Sequence, residues 1–140
     1  MTTVAPGHAR GILDTSVVVL LGQFPEDALP TEPMITSITL AELAVGPLVA
    51  RQDEERALRQ ARLQQTEADF VALPFDAEAA RAFGAVAASL RRVGRKTAAR
   101  AYDSMIAAIA IANDLPIYTC NPDDFTGIER LQVIAVPVPA

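Results

Sequence analysis

Short apolar runs alternate with longer stretches of helical character along this chain, and that alternation restricts the fold more than any other feature. Gly11-Ile12-Leu13, Met34-Ile35-Thr36-Ser37-Ile38, Phe70-Val71-Ala72-Leu73, Ile117-Tyr118-Thr119 and residues 132–136 read as strands. Between them, residues 15–21 start a helix directly after the first strand, and residues 24–33, which contain prolines, read as a loop. Residues 40–50 form a helix that bends or stops at Gly46-Pro47, and residues 53–69 are charged and helical in composition. Phe83, Val86, Leu90 and Val93 recur at helical spacing within residues 77–93, which predicts an amphipathic helix with one face on a sheet. Residues 104–112 are apolar on nearly every face, as a buried helix requires, and Asn113-Asp114-Leu115-Pro116 ends them. The expected fold is α/β, with a mainly parallel sheet of four or five strands covered by helices on both faces.

The 140 residues suffice for one domain with a core that needs no disulfide or structural metal, and the first ten or so are expected to form a flexible segment holding His8, the only histidine. With 51% apolar and 21% charged residues the composition is that of an ordinary soluble domain. Cys120 is the only cysteine, which excludes an internal disulfide framework and a cysteine zinc site and makes the cytoplasm the default location. The apolar run at residues 17–21 is too short for a signal sequence or a membrane span. A net charge of −5 argues against a broad cationic surface for nucleic acid. A nucleic-acid function then requires bound divalent cations or positive charge concentrated near a site.

In a parallel α/β sheet the C-terminal ends of the strands lie along one edge, so acids scattered in sequence can meet there. Asp14 follows the first strand, Glu42 opens the helix after the second, Asp103 leads the apolar helix, and Asp123-Asp124 follows the fourth strand. Each has a structural reading. Asp14 and Asp103 suit helix N-caps, Thr39-Leu40-Ala41-Glu42 matches a capping box, and Asn121-Pro122 suits a cap with proline as first helical residue. The functional reading rests on their joint placement. Two carboxylates about 4 Å apart repel by roughly 4 kcal/mol at the effective dielectric of a protein site. No lysine neighbours these acids, Lys96 being the only one in the chain, so a hard divalent cation such as Mg²⁺ or Mn²⁺ is the natural counter-charge. Arg91, Arg92, Arg95, Lys96 and Arg100 form a cationic stretch that is either a solvated helix end or a contact for RNA.

Four fragments in this order resemble the PIN-domain nucleases, and more narrowly the VapC toxins of toxin–antitoxin pairs: Leu13-Asp14-Thr15-Ser16; Thr39 to Gly46 with its Thr-x-x-Glu-Leu-x-x-Gly pattern; Asp103-Ser104-Met105-Ile106-Ala107-Ala108; and Thr119-Cys120-Asn121-Pro122-Asp123-Asp124-Phe125. The resemblance spans nearly the whole chain. It implies a three-layer α/β/α PIN-like domain and an Mg²⁺- or Mn²⁺-dependent endoribonuclease acting on structured RNA such as tRNA or rRNA. It further implies a homodimer restrained by a small cognate antitoxin. Asp14, Glu42 and Asp103 take the family's core acidic positions, as metal ligands and catalytic groups. Asn121 stands where many relatives carry Asp, and Asp124 matches the acid before the family's phenylalanine, so Asp124 is preferred as the fourth, with Thr119 and Asn121 orienting metal or substrate. The competing readings are a PIN-like scaffold that only binds a partner and a receiver-like phosphoacceptor module.

Overall fold

The computed structural model describes residues 9–140; the expectations for His8 and most of the N-terminal segment lie outside the described residues. In chain order the elements are β1 (Arg10–Leu13), α1 (Thr15–Val18), β2 (Glu32–Thr36), α2 (Ser37–Val49), α3 (Asp53–Asp69), β3 (Ala72–Leu73), α4 (Ala77–Arg92), α5 (Ala101–Ala112), β4 (Ile117–Thr119) and β5 (Val133–Ala135). Single 3₁₀ turns occur at Glu26–Ala28, Ala98–Arg100 and Pro122–Phe125. Arg10 is thus part of the sheet rather than of a loose N-terminus, and the Ala9 carbonyl accepts from the Glu32 amide at 2.7 Å.

The strands form one five-stranded sheet in the order β3-β2-β1-β4-β5, with every neighbouring pair parallel. Successive residues of a strand face opposite ways, and here they feed two separate cores. Ile12 and Ile117 point into a cluster with Val86 and Leu90 of α4 and Ile106 and Ile109 of α5. Leu13, Ile35 and Tyr118 point into the other, with Val17 of α1, Leu43 of α2 and Leu63 of α3. Three layers result, as expected. The Tyr118 ring lies across β1 at Gly11, where an added Cβ would come within 2.5 Å of the ring. No helix among the described residues is long and apolar enough to cross a membrane.

Several element boundaries differ from the expectation. β2 starts two residues early and takes in Pro33, which had been assigned to the loop. The Glu32 amide faces β1, so the alternate position 33 faces the β3 side, where pairing begins only at Ile35; the missing N–H costs nothing there. Ser37 and Ile38 already belong to α2, which continues through Gly46 and Pro47 to Val49. Its C-terminal carbonyls are held from outside: Arg56 donates to the Pro47 and Ala50 carbonyls at 3.3 and 3.1 Å, and Arg59, paired with Glu55, donates to that of Gly46 at 2.9 Å. β3 contains only the last two of the four residues expected. Val93 does not extend the buried stripe of α4 but stands exposed at its C-cap.

Candidate active site

β1 pairs with β2 on one side and β4 on the other, so the chain segments leaving β1 and β4 diverge and open a cleft at the C-terminal edge of the sheet. The cleft, about 250 Å³, is lined by Asp14, Thr15, Ser16, Val19, Glu42, Asp103, Asn121 and Asp124. All four preferred acids meet there. Asp123 is exposed and takes no part in the lining.

Asp14 is buried at the end of β1 and also caps α1, its Oδ1 accepting from the Val17 amide at 3.2 Å. One carboxylate therefore both caps a helix and lines the cleft. Ser16 Oγ donates to Oδ1 and Thr119 Oγ1 to Oδ2, each at 2.5 Å. Those hydroxyls in turn accept from the Cys120 and Asn121 amides, at 3.1 and 3.0 Å. A hydroxyl carries one proton, so each backbone donor leaves the O–H free to aim at Asp14. Burial pushes the Asp14 carboxyl above its ordinary value, while the bonds from Ser16, Thr119 and Val17 hold it back and Asp124 adds repulsion. Thr119 reaches Asp14 from behind and stays out of the cleft lining; Asn121 contributes its backbone amide and a place on the cleft wall, and its side chain does not cap the following turn.

Glu42 does not belong to a capping box. The N-cap of α2 is Thr36, whose Oγ1 accepts from the Thr39 amide at 3.3 Å, so Glu42 lies in the second helical turn. Its Oε1 accepts from Thr15 Oγ1 at 2.8 Å, across the gap between α1 and α2. Burial raises its pKa, the Thr15 bond lowers it, and the field of Asp14 raises it further.

Asp103 is not a cap either, since α5 begins at Ala101 and Asp103 lies within its first turn. Its pKa is pushed from 3.8 to about 6 by burial and then by repulsion from Asp124, Glu42 and Asp14, against a smaller opposing effect of Arg100. This is the electrostatic signature of acids crowded into one cleft.

Asp124 is brought in by the 3₁₀ turn after β4 and pairs with Arg100 at 3.0 Å. Arg100, grouped from sequence with cations available to RNA, is partly buried and supplies counter-charge to Asp124. Sequence reasoning missed this, as it missed Thr15 and Ser16, which carry the hydrogen bonds that hold Glu42 and Asp14. Burial, Asp14 and a weaker opposing bond from Ser16 leave the Cys120 thiol above its ordinary pKa, which disfavours a thiolate nucleophile beside the cleft.

The PIN domain family model matches residues 12–131 of the chain. Ribonuclease VapC5 of Mycobacterium tuberculosis is 39% identical over 124 residues, covering 86% of this chain and 89% of that protein. Ribonuclease VapC of Rickettsia bellii is 29% identical over 131 residues, covering 91% and 96%. Among solved structures, VapBC-5 of Mycobacterium tuberculosis, from the VapBC family of toxin–antitoxin systems, matches with a TM-score of 0.79 at 38% identity over 93% of this chain and 99% of that one. The chain belongs to the PIN-domain family and, within it, to the VapC proteins.

Proposed function

We propose that this protein is an Mg²⁺- or Mn²⁺-dependent endoribonuclease that cuts structured RNA such as tRNA or rRNA, and that a small cognate antitoxin restrains it. The observation that carries this reading is the convergence of Asp14, Glu42, Asp103 and Asp124 on one cleft, with Asp103 pushed to about 6 largely by burial and by the other three. The donor set is all oxygen, which suits a hard cation. Among the described residues no three acids already stand as a closed metal cage. A magnesium site needs no such cage, since it usually takes one or two carboxylates and completes the shell with water and substrate phosphate.

Asp14 and Asp103 are the residues that would hold the cation, with Glu42 and Asp124 completing the site. When bound, the ion supplies positive charge against the scissile phosphate and makes water more acidic. Ser16 and Thr119 keep Asp14 immobile, so its charge needs no reorganisation during the reaction. Thr15 fixes Glu42 on the opposite wall, and Arg100, paired with Asp124, reduces the net negative charge that a phosphate must approach.

Arg92 pairs with Glu129 at 3.2 Å, and Arg95 donates to the Asp123 carbonyl at 3.0 Å, which ties the cationic stretch to the turn carrying Asp124. The side chains of Arg91 and Lys96 are exposed and have no hydrogen-bond or ion-pair partner among the described residues, and these are the groups assigned to RNA phosphates. Reversing both charges to Glu is expected to weaken RNA binding and to reduce the slope of log affinity against log salt by about 2. An unchanged slope in filter binding over a salt series would assign them to ordinary helix-end solvation.

The antitoxin seat is assigned to the α2–α3 hairpin. Leu48, 84% exposed, stands there with Val45, Val49 and Leu58, beside a cleft lined by Pro47, Arg56 and Ala57. A homodimer and a cytoplasmic location complete the reading.

The deciding experiment is cleavage of a total tRNA and rRNA pool by the purified protein with Mg²⁺, Mn²⁺ or a chelator. Discrete fragments that need metal are expected. Full activity in chelator would remove the cation from the mechanism, and absence of any cleavage would favour the scaffold reading.

A further inference from the structure

Thr39 lies outside the cleft and is fully buried, yet its Oγ1 stands 3.0 Å from Thr15 Oγ1. Thr15 has one hydroxyl proton, and it goes to Glu42 Oε1 at 2.8 Å. With that proton committed, the contact between the two threonines forms only if Thr39 donates and Thr15 accepts. The Thr39 amide is already bonded to Thr36 Oγ1, which anchors Thr39 to the N-cap of α2. A directed chain therefore runs from the buried interior of α2, through α1, and back to an acid on α2 that faces the cleft.

We infer that Thr39 is a positioning residue, which donates to the Thr15 hydroxyl, keeps it in place and thereby holds the Glu42 carboxylate on the cleft wall. Successive hydroxyl bonds polarise one another, so the chain strengthens the final bond to Glu42 beyond what Thr15 supplies alone. It also joins α1 to α2 at the point where both face the cleft. A Thr at this place with no such role would need only its methyl group for packing, and valine would serve equally well.

The test therefore uses Thr39→Val, which keeps the shape and removes the hydroxyl, beside Thr39→Ser, which keeps the hydroxyl. The first arm is structural and is done in chelator. In crystals of Thr39→Val the Thr15–Glu42 contact is expected to lengthen and both side chains to lose their fixed placement, and in Thr39→Ser to keep both. A Thr15–Glu42 contact of wild-type length and order in Thr39→Val overturns the inference.

The second arm rests on the proposed metal site and reads Mn²⁺ affinity by calorimetry, without RNA. Thr39→Val is expected to bind Mn²⁺ about 3- to 10-fold more weakly, the loss of one hydrogen bond's contribution, with Thr39→Ser near wild type. In a Glu42→Gln background the same substitution is expected to cost nothing further, because it acts through Glu42. An equal loss in both backgrounds overturns the relay and leaves Thr39 as packing. If wild type takes up no Mn²⁺, the metal reading fails by itself, and the crystallographic arm alone decides the role of Thr39.

Discussion

Asp14→Asn is expected to lower RNA cleavage by at least about 100-fold, the scale of losing one pre-organised electrostatic group at a reacting centre. The substitution separates the two roles that meet in this residue. Asparagine is as good an N-cap as aspartate, so the bond from the Val17 amide survives and α1 keeps its start. The conflict lies at the hydroxyls. Ser16 and Thr119 both aim protons at Asp14, and an asparagine NH₂ meeting one of them forces that hydroxyl to turn. One such rearrangement costs about 1 kcal/mol, which lowers the melting midpoint by no more than about 5 °C. Activity measured beside thermal unfolding checks both halves. A variant that keeps activity, or one that loses it only because it no longer folds, would reduce Asp14 to a structural cap.

The sheet and its acidic edge were legible because parallel α/β architecture turns a one-dimensional pattern into a spatial one. Once Ile12-Leu13 and Ile117-Tyr118 are read as buried parallel strands, Asp14 and the segment after Thr119 must leave the same edge of the sheet. The roles of individual side chains were less accessible. Thr36, Thr39 and Glu42 stand at three-residue intervals, so either threonine could cap α2 from sequence alone. Pairing of Thr36 with Leu73 on β3 carries the strand up to that residue and decides the matter. The capping-box pattern was then a coincidence of spacing, and Glu42 was released to the cleft. Arg100 posed a different difficulty. It lies 24 residues from Asp124, and nothing local separates it from Arg91 or Lys96. Val93 continued a helical stripe in sequence, but the helix ended at Arg92, and spacing has no meaning beyond the last turn.

Asp103→Asn is expected to stabilise the protein in chelator at neutral pH while abolishing metal-dependent cleavage. The native carboxyl titrates near 6 instead of 3.8, so between those values the folded state holds a proton that the unfolded chain has released. Stability therefore falls as pH rises through this window and stays reduced above it, because the ionised carboxylate must sit half-buried among Asp124, Glu42 and Asp14. A shift of this size corresponds to about 3 kcal/mol at most, and solvent screening of a half-exposed group brings it to about 1 to 2 kcal/mol. The asparagine variant should melt higher by about 5 °C at pH 7 and lose its advantage by pH 4, where the wild-type carboxyl is protonated too. Mn²⁺ should reverse the order. A cation bound by the folded state alone raises stability by mass action, and it does so for wild type, whose charge it neutralises, far more than for the variant. The same crowding that weakens the empty fold thus favours the loaded one, which is the trade expected where a carboxylate is placed for function. Thermal scans of both proteins across pH 4 to 8, with chelator and with Mn²⁺, measure this directly. If the two curves run parallel under all conditions, Asp103 is not repelled by its neighbours, and the electrostatic case for a cation at this cleft is lost.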